Sequence, residues 1–298
     1  MPERVLVTGV SSFTGPYLAQ ALTERGYEVF GLSQGGPACP GVTVIDGNLL
    51  DATSVRAVVE ACKPHYVIHL AAITFVPHGD IAQMYLTNVV GTRNLLTALD
   101  AEAADLKNVI LASSANVYGN SREGALDEET PFAPANDYAT SKVAMEYMAG
   151  IWASRLPIAI VRPFNYTGVG QAEKFLIPKI VSHFRRAAPE IELGNIDVVR
   201  DFSDVRFVAA AYCALLENAL PGECYNFCSG TGHALKDIIA AMCQIAGYEI
   251  AVKVNPEFVR ANEVKRLVGD NARLLQRCPE LAPIDMHDTL QWMFRSDA

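Results

Sequence analysis

Half of the 298 residues are apolar and 19% are charged, which supplies a large core and excludes a disordered chain. With 24 Lys and Arg against 33 Asp and Glu, the net charge of −9 excludes a broad basic surface for nucleic acid or an anionic membrane, so any anionic ligand must be met by a few placed cations. Seven scattered cysteines without a Cys-x-x-Cys pair, six histidines without metal-ligand spacing, and an N-terminus that runs straight into Val5 predict a soluble, cytoplasmic protein with no disulfide framework and no metal.

Val5-Leu6-Val7-Thr8 reads as a short apolar strand. It meets the turn Gly9-Val10-Ser11-Ser12-Phe13-Thr14-Gly15 and then a helical pattern through Tyr17, Leu18, Ala21 and Leu22. Strand, glycine turn and helix in that order aim backbone N–H groups at a pyrophosphate, and glycine lets it come close. Ser12 stands where a three-glycine turn has its middle glycine. A second strand over 27–32 ends at Ser33 and Gln34, where the adenosine ribose of a dinucleotide is expected. A carboxylate there would select NAD; its absence leaves room for the 2′-phosphate of NADP, so NADP is favoured and NAD stays open.

A third strand over 42–45 leads to Asn48 and Leu49, and a helix follows from about Ala52 to Cys62. The strand over 66–70 ends on Ala71 and Ala72, small residues suited to a sheet edge lying against a cofactor; His69 inside it reads as a satisfied core histidine. The pattern predicts one long helix over 81–104, with Asn88 facing inward. A buried amide needs partners, so Asn88 is expected to tie down neighbouring backbone. The strand Asn108–Ala112 then brings Ser113 and Ser114 to its C-terminal end, where ligands gather in open parallel sheets.

If the chain is helical from Tyr138 onward, Lys142 lies four residues later on the same face. A phenol with a pKa of about 10 exchanges protons poorly near neutrality; a fixed Lys142 cation, helped by an oxidised nicotinamide, is expected to lower it, while Ser114 holds the same substrate oxygen. A sixth strand over 158–161 closes the alternation and predicts an α/β Rossmann-like, doubly wound parallel sheet in residues 1–162. From Pro163 the rhythm loosens, and helices near 207–218, 236–246 and 288–294 predict a smaller mixed C-terminal substrate domain, residues 163–298, returning elements to the first. Cys224 and Cys228 fall on one face of a strand and read as packing. Lys179, Arg200 and Arg260 are its candidate anion ligands.

These motifs together resemble an extended short-chain dehydrogenase/reductase over essentially the whole chain. The resemblance rests on the early glycine turn, Asn48-Leu49, His69-Leu70-Ala71-Ala72, Asn88, Ser114, Tyr138 with Lys142, and Arg162-Pro163-Phe164-Asn165. It implies an NAD(P)-dependent oxidoreductase in which Tyr138 is the acid/base, Lys142 holds the nicotinamide ribose, and Ser114 orients the substrate oxygen. The cofactor would lie along Gly9, Ser12, Phe13, Thr14, Gly15, Ser33, Asn48, Leu49, Leu70, Ala71, Ala72 and Asn88. The C-terminal half is most similar to enzymes of GDP-sugars, which implies substrate contacts from Thr74, Asn116, Asn165, Lys179, Arg200, Arg260 and Glu263. Dehydratases of this branch carry a glutamate two residues after the Ser114 position, and here that residue is Asn116. An amide cannot abstract a proton, so the resemblance narrows to the GDP-4-dehydro-6-deoxy-D-mannose reductases, which produce GDP-D-rhamnose. This family often has an aspartate at that position, and Ser12 and Asn48 replace a more usual glycine and aspartate. A talose-forming reductase, a nucleotide-sugar 4-epimerase and a GDP-mannose 4,6-dehydratase are the competing activities, and a nucleotide-sensing protein without catalysis is the competing class. A homodimer through the helices near 80–104 and 138–154 is the expected assembly.

Overall fold

A computed structural model of the chain describes residues 2–35, 39–74, 80–119, 124–258 and 265–296. The first half alternates β1 (Arg4–Thr8), α1 (Gly15–Glu24), β2 (Glu28–Ser33), β3 (Val42–Asp46), α2 (Ala52–Cys62) and β4 (Tyr66–His69). A long interrupted helix follows, made of α3 (Ile81–Tyr85), a π-helical segment Leu86–Gly91 and α4 (Thr92–Glu102). Then come β5 (Asn108–Ala112), α5 (Asp137–Gly150) and β6 (Ile158–Pro163). The second half supplies β7 (Asn165–Thr167), α6 (Leu176–Arg185), β8 (Glu190–Leu193), β9 (Val199–Asp204), α7 (Val205–Asn218) and β10 (Cys224–Phe227). It ends with β11 (Gly232–Ala234), α8 (Leu235–Ala246), β12 (Ala251–Val254), β13 (Arg266–Leu267), α9 (Ala272–Arg277) and α10 (Met286–Arg295).

Seven strands form one sheet in the order β10-β6-β5-β4-β1-β2-β3, and every pairing in it is parallel. The chain steps from β1 outward to β3 and then crosses to β4 on the other side of β1. The C-terminal ends of β1 and β4 are therefore the point where strand order reverses, and there the loops splay apart to leave a ligand crevice. Alternation along β1 divides the core: Val5 and Val7 pack with Leu18 and Leu22 of α1 and with α7, while Leu6 packs with α2, α4 and α5. Both faces are covered, so the strands read as continuous apolar runs. A smaller sheet joins β9 to β7, β11 and β13, and β8 pairs with β12. These pieces pack with α6, α8 and α10 around Phe184, Phe202, Met242 and Leu290.

The predicted single helix over 81–104 is present but widened by one π turn. Asn88 lies within that turn, and the Thr92 hydroxyl donates to its carbonyl at 2.8 Å. The side chain of Asn88 donates to Ile73 O and to Ser141 Oγ and accepts from Ile73 N. The widened turn accompanies side-chain bonds to partners outside the helix, which apolar spacing does not report.

His69 is buried with both ring nitrogens engaged, Nδ1 to Thr8 Oγ1 at 2.6 Å and Nε2 to Thr92 Oγ1 at 2.8 Å. Because Thr92 spends its hydrogen on Asn88 O, it accepts from Nε2–H; Thr8 then donates to Nδ1 and accepts the Ala71 amide at 3.2 Å. The ring is therefore neutral, and burial, helped by the Lys142 charge, pushes its pKa down to about 3. A histidine with a lowered folded pKa binds fewer protons folded than unfolded between pH 6.5 and about 3, so stability falls as pH drops through that window. Urea unfolding should lose about 1.4 kcal/mol per pH unit there from this ring, a slope that His69→Gln should remove.

Candidate active site

The glycine turn is folded tightly against the end of β4. Gly9 has φ +71°, and a Cβ on it would meet the Ala71 backbone at 2.9 Å; a Cβ on Gly15 would lie 1.8 Å from Val10 O. Both positions are thus closed to larger residues, and the turn presents the N-terminus of α1 beside the small residues Ala71 and Ala72. Thr14, the residue before α1, bonds Tyr166 Oη at 2.8 Å, and Phe13 stacks on the same ring, so the turn is latched to β7. At the end of β2, Ser33 pairs with Ser11 Oγ at 3.2 Å and donates to Gly35 O at 2.8 Å. Asn48 accepts from Leu50 N at 2.9 Å. A close-packed glycine turn, a helix N-terminus and a small-residue wall fit a dinucleotide.

Ser114 lies just past β5 and caps the short 3-10 turn Ala115–Tyr118. The helix α5 starts at an Asn136 cap and carries Tyr138, Lys142 and Glu146 at intervals of four, hence on one face. The Ser114 hydroxyl beside the Tyr138 phenol favours its anion, but burial outweighs this and pushes the phenol pKa up to about 12. Lys142 donates to Ala112 O at 2.7 Å, and burial drives its pKa down to about 8 against the pull of Glu146. The spacing predicted a phenol lowered by Lys142. Within the protein alone, the ammonium is engaged by a strand-end carbonyl, desolvation dominates, and the Tyr138 phenol is a protonated donor near neutrality.

Behind Lys142 lies a network that sequence reasoning missed. Arg162 grips Glu146 with two contacts, 3.0 and 2.7 Å, and Ser113 donates to the same carboxylate at 2.5 Å. Burial opposes the Arg162 charge, but hydrogen bonding to Glu146 more than restores it and raises the guanidinium pKa. The four-residue step from Lys142 to Glu146 was the available signal.

Asn88 reaches Ile73 and Ser141, so it braces the site from the side. Asn165 on β7 has a buried Nδ2 with no partner, a cost of about 1–3 kcal/mol that a ligand oxygen would offset. Thr74 is exposed beyond β4. Lys179 donates to Glu192 O at 2.7 Å and stands 4.7 Å over the Phe258 ring, while Arg200 donates to Val199 O. Arg260 and Glu263 lie outside the described residues. Among the described residues no cluster of His, Cys, Asp and Glu is arranged to hold a metal, and no helix is long and apolar enough to cross a membrane.

Residues 5–228 match the model of the NAD dependent epimerase/dehydratase family. The chain belongs to that family. It is 37% identical to the GDP-6-deoxy-D-talose 4-dehydrogenase of Aggregatibacter actinomycetemcomitans over 91% of this chain and 90% of that one. It is 34% identical to the GDP-6-deoxy-D-mannose reductase of Pseudomonas aeruginosa over 98% of this chain and 92% of its relative. Among solved structures, an epimerase candidate from Burkholderia cenocepacia J2315 is 49% identical with a TM-score of 0.93, covering 98% of this chain and 97% of that one. The RMD protein of P. aeruginosa complexed with NADPH is 31% identical with a TM-score of 0.84, covering 99% and 97%. This family member is an NAD(P)-dependent oxidoreductase, and a nicotinamide dinucleotide is its cofactor.

Lys142 must be cationic to act beside Tyr138, so kcat/KM should fall as pH rises through about 8. Glu146→Gln removes the carboxylate that favours the ammonium and should move this limb to lower pH. A limb unmoved by the substitution would separate Glu146 from the charge of Lys142.

Proposed function

We propose that the protein reduces the C4 keto group of GDP-4-dehydro-6-deoxy-D-mannose to GDP-D-rhamnose. The observation that carries this reading is the buried Ser114 and Lys142 beside the half-buried Tyr138, with Asn116, an amide, where a dehydrating site needs a carboxylate base. Tyr138 donates its proton to the oxygen at C4 as the C4–H bond forms, Ser114 polarises that carbonyl, and Lys142 would hold the nicotinamide ribose. The bound reduced dinucleotide supplies the hydride. NADPH is the favoured form: β2 itself ends on Ser33, with the Ser11 hydroxyl beside it and no carboxylate of its own to select a free 2′-hydroxyl, and the P. aeruginosa RMD protein is complexed with NADPH.

In this reading residues 1–162 hold the dinucleotide, along Gly9, Ser12, Phe13, Thr14, Gly15, Ser33, Asn48, Leu49 and Leu70 to Ala72. Residues 163–298 hold most of the GDP-sugar, with Asn165, Lys179 and Arg200 as contacts and Arg260 and Glu263 assigned from the sequence. The talose epimer is the second reading, favoured by the 37% identity to a GDP-6-deoxy-D-talose 4-dehydrogenase. The chain is expected to pair with itself through the helices from α3 to α5. Leu86 and Val90 sit one turn apart, as do Tyr147 and Ile151, and all four large apolar side chains are exposed. Self-association would remove that surface from water.

Two measurements check these statements. With the 4-keto sugar nucleotide generated in situ by a dehydratase, NADPH should be consumed and NMR should identify GDP-D-rhamnose; Tyr138→Phe should cost about 10²- to 10⁴-fold in kcat. A talose product would assign the other epimer, and undiminished turnover in Tyr138→Phe would remove the phenol as acid. By light scattering the parent should be a dimer and Ile151→Glu a monomer; an unchanged mass would place the interface elsewhere.

A further inference from the structure

A serine hydroxyl has one hydrogen to give and two lone pairs to receive. At Ser114 both lone pairs are taken by one residue: Asn116 N donates to Ser114 Oγ at 3.2 Å, and Asn116 Nδ2 donates to it at 3.1 Å. The first contact is the cap of the 3-10 turn and depends only on backbone; the second belongs to the asparagine side chain. Ser114 is only 6% exposed, so water competes little for these positions. The remaining hydrogen can only leave Ser114 as a donor, and the hydroxyl that carries it lies beside the Tyr138 phenol.

We propose that Asn116 is a positioning residue that makes Ser114 a one-way hydrogen-bond donor toward the oxygen addressed by Tyr138. The proposal rests on the reading of the site as one that reduces a carbonyl. As the C4–H bond forms, negative charge gathers on the C4 oxygen, and a donor already oriented there stabilises it without reorganising. An unoriented hydroxyl could instead turn its hydrogen elsewhere and present a lone pair to that charge. The side chain of Asn116 therefore acts through Ser114, and the sugar need not touch it. This assignment differs from the direct substrate contact implied by family resemblance.

The test is a double-mutant cycle of Asn116→Leu with Ser114→Ala, with Asn116→Ala carried alongside because it removes the same donor without filling the space. The readouts are kcat and KM for the 4-keto sugar nucleotide, and the dissociation constant of GDP-mannose for the dinucleotide-free protein by calorimetry. Ser114→Ala should lower kcat about a hundredfold. Either Asn116 variant should lower kcat about tenfold with KM and GDP-mannose affinity unchanged, and should cost nothing further in the Ser114→Ala background. Additive losses, or weakened GDP-mannose binding, would overturn the proposal and place Asn116 on the sugar. Parental turnover in both Asn116 variants beside an impaired Ser114→Ala would defeat the proposal alone, whereas parental turnover in Ser114→Ala would defeat the carbonyl-reducing reading together with it.

Discussion

The buried pair of Glu146 and Arg162 is the constraint on which the site depends. Both side chains are almost wholly removed from water, and two contacts from the guanidinium plus one from Ser113 fill three of the carboxylate's roughly four lone-pair sites. Deleting one partner of such a pair leaves an uncompensated buried charge, a loss of about 3–5 kcal/mol. The pair fixes α5 to β6 and to the end of β5, and those are the elements that carry Tyr138, Lys142 and Ser114. Arg162 reaches further, stacking over Tyr118 and Phe132 and donating to Tyr118 Oη and Glu128 O. The acid/base helix is thereby seated by ionic hydrogen bonding on one flank.

The other flank is held by the π turn. Asn88 reaches Ser141, whose hydroxyl donates in turn to Tyr138 O at 2.7 Å, so a widened turn in one helix is joined to the first turn of another. The same asparagine pairs with both backbone groups of Ile73, just beyond the small-residue wall at the end of β4. Helix α5 is thus located between two sets of polar contacts, neither of which apolar packing could replace with equal directionality. The price is rigidity, and a redox site needing a phenol, an ammonium and a hydroxyl around one oxygen benefits from it.

The two halves of the chain meet at the cofactor turn rather than across a hinge of loops. Thr14 and Phe13 engage Tyr166, and Tyr17 donates to Val169 O and lies edge-on to Trp292. Arg206 covers the far face of Trp292 at 3.9 Å while its guanidinium pairs with Asp204. An aromatic ladder therefore runs from the glycine turn to α10, and the unpartnered Asn165 sits one residue from its start.

Six strands of the seven-stranded sheet were legible because buried strands leave apolar runs, and the helices between them declare themselves by period; that β10 completes the sheet was not. The strand Asn108–Ala112 and the helix Ala52–Cys62 were read to the residue. Ser114, Tyr138 and Lys142 were legible for a related reason: strand ends and steps of four along a helix are local geometry. Nothing local reports which buried charges find each other, so the pairing of Glu146 with Ser113 and Arg162 stayed out of view, as did the burial that raises the Tyr138 phenol. The π turn at Asn88 escaped because the partners that accompany it, Ile73 and Ser141, lie far away in sequence. The sequence by itself determined the order of elements and the chemical identity of the candidate site groups, since both follow from short-range periodicity and side-chain type. Only the tertiary structure decided their protonation and direction, because desolvation and hydrogen-bond partners come from residues that the fold, and not the chain order, brings together.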